Sequence, residues 1–202
     1  MLELILHSYR RCPFAIRVRM TLEEKGLSYQ VIEEDLSAPS ETLLKLHPEG
    51  KVPLLIHQGN PIFESCIITE YLDEVFSENP LRPATPWGRA QMRLWTYWCN
   101  QIFKLDLDAY KYEWKELSEM DRAALLIRLN GHLRKLADAL RGQAFLMGQQ
   151  LSLADIHVFP FYRQLQKARS PDRGAFDQIP VLDEWLERIV SRPSFEREMK
   201  HF

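Results

Sequence analysis

Apolar positions in the first third of this chain follow a strand-helix-strand pattern. Leu2-Glu3-Leu4-Ile5-Leu6-His7 reads as a short strand, and Phe14, Val18 and Leu22 then share one face of a helix from Pro13 to Lys25. Gly26 follows where a left-handed residue is wanted. Ser28 to Glu33 reads as a second strand, β-branched and aromatic, so the order implies a right-handed parallel crossover. Glu41 to Leu46 is a second helical stretch. Pro53-Leu54-Leu55-Ile56 and Ile62-Phe63 flank a turn-rich link, residues 57–61, which predicts an antiparallel hairpin, and Ser65 to Phe76 is helical again.

The pattern then changes. Ser77 to Gly88 carries Pro80, Pro83 and Pro86 and leads into a purely helical remainder. The expected division is an α/β domain over residues 1–78, a Pro-rich linker over 79–88 and an all-α domain over 89–202. In the second half, Ser118-Glu119-Met120-Asp121 looks like a capping box opening a helix whose Leu126, Leu129, Leu133, Leu136 and Leu140 share a face, with Gly142 past its end. Ser152-Leu153-Ala154-Asp155 is a second box, read as structural, with Leu151 and Ile156 at the positions of a hydrophobic staple. Pro160 falls inside this helix, whereas Pro180 and Pro193 suit helix starts.

Composition narrows the function. With 202 residues, 46% of them hydrophobic, the chain can bury a substantial core. A net charge of −2, with both signs interspersed, gives no basic footprint for nucleic acid. Three cysteines, Cys12, Cys66 and Cys99, are too few for a disulfide framework and lack the spacing of a zinc site, so no metal is expected. The N-terminal apolar stretch is too short for a signal peptide and no run approaches spanning length, so the expected setting is the cytoplasm, away from membranes.

Candidate chemistry centres on Arg10-Arg11-Cys12-Pro13-Phe14-Ala15. Pro13 suits the first helical position, which makes Cys12 the cap. A thiolate there faces amide N–H groups and the positive end of the helix, with two arginines just before it, so Cys12 is expected to be ionised and reactive. The alternative is a buried, inert cysteine packed as a small hydrophobe. A dithiol redox enzyme would carry its second cysteine at position 15; Ala15 means that any disulfide of Cys12 must form with another molecule.

These features together resemble the glutathione transferase superfamily over essentially the whole chain: Cys12-Pro13-Phe14-Ala15, Gly50-Lys51-Val52-Pro53, Phe63-Glu64-Ser65, the Glu70-Tyr71-Leu72-Asp73 helix end and the box at Ser152 to Asp155. The resemblance implies a thioredoxin-like N-terminal domain, an all-α C-terminal domain, glutathione as co-substrate and a homodimer. It implies that Pro53 is cis and that the Val52 backbone pairs with the cysteinyl part of glutathione. Glu64 and Ser65 would hold the γ-glutamyl end, Lys51 the glycine carboxylate, and Phe14 would line the site. Cys66 reads as a small buried residue with nothing charged near it to activate it.

Cysteine before Pro-Phe resembles the omega class and related cysteine-type bacterial transferases. The resemblance implies that Cys12 forms a mixed disulfide with glutathione, which a second glutathione reduces, acting on glutathionylated or oxidised substrates. The alternative is conjugation of glutathione to apolar electrophiles. A non-catalytic binding module of the stringent-starvation-protein type is disfavoured by Cys12-Pro13. A membrane-inserting protein of the chloride intracellular channel type is disfavoured by the charges at Arg17, Arg19, Glu23, Glu24 and Lys25. Ser8 and Tyr9 are read as loop residues. Trp95, Trp98 and Ile102, with Tyr110, Tyr112 and Trp114, suit core or dimer packing better than an acceptor pocket.

Overall fold

Strand β1 (Leu4–Ser8) runs at the centre of a four-stranded sheet in the computed structural model, which describes residues 3–168 and 176–200. Leu2 lies outside the described residues. Helix α1 (Pro13–Glu24) crosses to β2 (Gln30–Glu33), which pairs parallel with β1. After α2 (Glu41–Leu46), β3 (Leu54–His57) and β4 (Asn60–Phe63) form the antiparallel hairpin and lead into α3 (Ser65–Val75). Sheet order is β2-β1-β3-β4. The hairpin link is shorter than its composition suggests. Gln58 and Gly59, with φ of 53° and 80°, make a two-residue turn, and His57, Asn60 and Pro61 belong to the strands.

Leu4, Leu6, Val18, Leu22, Leu55, Ile68 and Leu72 form one apolar core between sheet, α1 and α3. Helix α1 is buried on more than the single face its pattern suggests, with every residue from Ala15 to Glu23 inside and Phe14 partly exposed. The C-terminal helix α9 (Pro193–Lys200) packs against α1. The compact units are accordingly Met1–Arg82 with Ser191–Phe202, and Pro83–Val190. Asp73 fastens the end of the first stretch: its carboxylate accepts from Lys25 Nζ at 2.8 Å, the Leu81 N–H at 2.8 Å and Arg82 Nε at 2.9 Å.

Regular structure resumes sooner than the Pro-rich composition suggests. Pro86 occupies the first position of α4 (Pro86–Trp98), where no N–H is needed, and the Thr85 hydroxyl accepts from the Gly88 N–H. Two π-helical turns, Cys99–Phe103 and Ala109–Glu113, bracket α5 (Lys104–Asp108). In α6 (Glu119–Ala139), capped by Ser118, the buried leucine is Leu125 and not Leu126, which is only partly covered. The inward stripe is Leu125, Leu129, Leu133 and Leu136, continuing to Leu140. Helix α7 (Leu153–Ala168) contains Pro160, and α8 (Pro180–Val190) opens on a proline. In the first turn of α7, buried Asp155 accepts from the Ser152 amide and hydroxyl, the Leu146 amide and Trp185 Nε1, so this box is a structural hub.

Candidate functional site

The loop from β1 to α1 is short and tied down. Cys12 follows it with extended φ and ψ of −72° and 118°, its N–H donating to the Tyr9 carbonyl at 3.0 Å, and α1 begins at Pro13. The Cys12 side chain makes no N-cap hydrogen bond by geometry; its S–H donates to the Val52 carbonyl oxygen at 3.8 Å. Cys12 and Val52, widely separated in sequence, are thereby brought together.

The electrostatics correct the expectation of a resting thiolate. Burial pushes the Cys12 thiol above its ordinary value; the N–H groups of Ala15 and Phe14, then the charges on Arg19 and Arg17, pull it down without overcoming that burial. The residue is only partly exposed, so water supplies only part of the solvation that ionisation needs. The arginines that act on the sulfur are also not the neighbours in sequence. Arg10 and Arg11 are exposed, whereas Arg17 and Arg19 are fully buried within α1.

Around this thiol the other expected residues take different positions. The Val52–Pro53 peptide is cis, with Pro53 buried at the entry to β3. Glu64 stands exposed at the N-cap of α3 with φ of 67°. A non-glycine residue there is strained by about 1–3 kcal/mol, and such strain clusters at ligand sites. Ser65 is buried, and its hydroxyl accepts from Arg17 Nη1 at 3.2 Å. The Arg17 guanidinium also lies over the Phe14 ring, 5.0 Å from its centroid. Lys51 is exposed and bonded to Glu49, which, with a smaller contribution from Glu64, holds its ammonium above the ordinary lysine value. Lys51 thus lies within electrostatic reach of Glu64.

Several readings change. Ser8 ends β1 and is buried, its hydroxyl bonded to Arg19 Nη1, so it is not a loop residue. Cys66 is partly exposed and does have charged neighbours: burial pushes its thiol up, Arg17 pulls it down and Glu64 pushes it up again. Trp98 and Tyr110 are core residues, Trp98 stacking on Phe103 at 5.3 Å, while Ile102 and Tyr112 are exposed, so the aromatic run is not one surface. Among the described residues no group of His, Cys, Asp or Glu is placed to hold a metal ion, and no helix is long and apolar enough to cross a membrane.

Residues 2–74 match the Glutathione S-transferase N-terminal domain and residues 99–193 the Glutathione S-transferase C-terminal domain. Glutathione S-transferase U19 of Arabidopsis thaliana is 31% identical over 98% of this chain and 90% of its own. The chain belongs to the glutathione S-transferase family. Among solved structures, the Tau class glutathione S-transferase from mango, Mangifera indica, is 27% identical with a TM-score of 0.89, over 97% of this chain and 92% of the other. Glutathione transferase Omega 3C from Trametes versicolor is 26% identical with a TM-score of 0.83, over 96% and 88%. Similarity therefore extends to a Tau class transferase as well as to the omega class that Cys12-Pro13-Phe14 resembles.

Proposed function

We propose that this glutathione S-transferase joins glutathione to electrophilic small molecules, with the sulfur of glutathione as nucleophile and the Cys12 S–H as a hydrogen-bond donor to it. The observation that carries this reading is the burial of Cys12. A sulfur that is costly to ionise keeps its proton and can share it in a hydrogen bond with a neighbouring acceptor, as its S–H does with the Val52 carbonyl oxygen. The N–H groups at the start of α1 and the charges of Arg17 and Arg19 then favour a thiolate on the better solvated sulfur, that of the co-substrate. In conjugation that thiolate forms the new S–C bond and the electrophile's leaving group departs with the bonding pair. Likeness to the Tau class transferase supports the same reading.

Glutathione in this reading is held by Glu64 at its ammonium, by the Ser65 hydroxyl and the first N–H groups of α3 at its γ-glutamyl carboxylate, and by the Val52 backbone along its cysteinyl part. Lys51 takes the glycine carboxylate, and Phe14, braced by Arg17, lines the site. A homodimer belongs to the same proposal.

Thiol exchange through a Cys12–glutathione disulfide is the second reading, favoured by the four groups that pull the Cys12 thiol down. The two are separated by assaying chlorodinitrobenzene conjugation and glutathione-dependent disulfide reduction on wild type and Cys12→Ser. Conjugation by both proteins, with little disulfide reduction by either, supports the proposal. Disulfide reduction by wild type alone, exchanged for conjugation in Cys12→Ser, would establish thiol exchange instead.

A further inference from the structure

Arg19 sits seven residues after Cys12, fully buried, and its guanidinium is bonded back to the loop that precedes the helix. Nη1 donates to the Ser8 hydroxyl and, at 3.4 Å, to the Tyr9 carbonyl; Nη2 donates to the Arg10 carbonyl at 2.9 Å. The Tyr9 carbonyl also accepts the Cys12 N–H at 3.0 Å. Residues 8, 9 and 10 therefore hang on one planar fork, and Cys12 hangs on residue 9. The fork is itself aimed from far along the chain. Oε1 of Glu198, buried on α9 and 179 positions away in sequence, accepts from Arg19 Nε at 2.8 Å and Nη2 at 2.6 Å.

We infer that Glu198 is a positioning residue for the reacting site: it sets the plane of the Arg19 guanidinium, which fixes Ser8, Tyr9 and Arg10 and so the place of the Cys12 sulfur. A guanidinium has a rigid fork of donors, so fixing two of them, Nε and Nη2, on one carboxylate oxygen determines where the remaining donors point. A buried ion pair is in general a weak source of stability, because desolvation offsets most of the attraction. Docking of α9 has other anchors. Arg192 bonds Glu24 at 2.6 and 2.8 Å, Arg197 Nε bonds Glu23 at 2.6 Å, and the Ser194 hydroxyl bonds Glu24. None of these bonds reaches the loop before Cys12, so holding the helix and aiming Arg19 are separable. The inference rests on the reading that places Cys12 at the reacting site.

The test compares Glu198→Gln with Arg197→Ala in the full-length protein. Both remove a charge from an α9 ion pair, but only the first touches Arg19. Glu198→Gln should lower kcat for chlorodinitrobenzene conjugation by roughly tenfold, with KM for glutathione changed by less than about twofold, as a shift of the reacting group predicts. It should also change the rate at which iodoacetamide labels Cys12, measured by peptide mass. Arg197→Ala should lower Tm and leave both rates unchanged. Equal losses of Tm with unchanged rates in both variants would overturn the inference and leave α9 a clasp. Should Glu198→Gln not fold, Arg19→Lys decides the matter, since lysine can keep the ion pair but cannot span the acceptors on Ser8, Tyr9 and Arg10: a similar loss of kcat upholds the inference and an unchanged kcat overturns it. Labelling reports on the thiol whatever reaction is catalysed. An altered labelling rate in a protein whose wild type does not conjugate at all would uphold the positioning role and sink the proposed function.

Discussion

The Arg17 guanidinium donates to the Ser65 hydroxyl at 3.2 Å, linking the helix that follows Cys12 to the helix start that follows Glu64. A serine hydroxyl that accepts from a buried cation has its own proton available for an incoming carboxylate. Ser65→Ala is expected to raise KM for glutathione about tenfold, a loss consistent with one charge-assisted hydrogen bond, with a small effect on kcat. Steady-state kinetics at varied glutathione checks this. An unchanged KM would remove Ser65 from the site.

Lys51 is engaged by Glu49 in an exposed pair, so an arriving carboxylate must compete with one already present. Exposed pairs of this kind contribute little to stability. Lys51→Ala should therefore weaken glutathione binding severalfold without moving Tm, and Glu49→Gln should strengthen it. Calorimetric titration with glutathione reads both directions at once.

Asp73 provides a pH-dependent tie. Burial works to raise its pKa, but the bonds from Lys25, the Leu81 amide and Arg82 outweigh burial and hold the carboxyl below the ordinary aspartate value. The folded pKa is thus the lower one, so the stabilisation is complete above the unfolded value of about 4 and is lost as pH falls below it toward the folded value. Asp73→Asn should cost about 3 kcal/mol at pH 7, because it takes the carboxylate from the buried Lys25 ammonium and leaves it only the Glu78 and Asn79 carbonyls. In urea melts, the gap between wild type and Asp73→Asn should shrink as pH drops from 5 to about 3. A gap that stays constant would show that the carboxylate charge is not what matters.

Much of the fold was legible from pattern alone, because β1, α1, the hairpin and the capped helices each pair a periodic apolar face with a local stop or start signal. What was missed came from contacts distant in sequence. Arg17 and Arg19 are about 200° apart around a helix, so no single solvent stripe accommodates both, and apolar residues at 16, 18 and 20 surround them. That conflict was the available hint that α1 is buried all round; the partner that makes it possible, Glu198 on α9, carries no local signal. The same distance effect explains Cys12. Its cap position and Pro13 were readable, but its ionisation depends on how much protein surrounds the sulfur, including Val52 from another strand connection. Leu125 in place of Leu126 is a milder case, since either leucine fits a helical face and only packing selects one.

The proton on Cys12 tests the account most directly. Iodoacetamide labelling of the wild-type protein, followed from pH 5 to pH 10 by the mass of the Cys12 peptide, reports its thiolate fraction. Labelling that stays slow through neutral pH and rises only beyond the ordinary thiol range is the predicted result. A rate already at its plateau by pH 6 would contradict it and return Cys12 to the role of nucleophile.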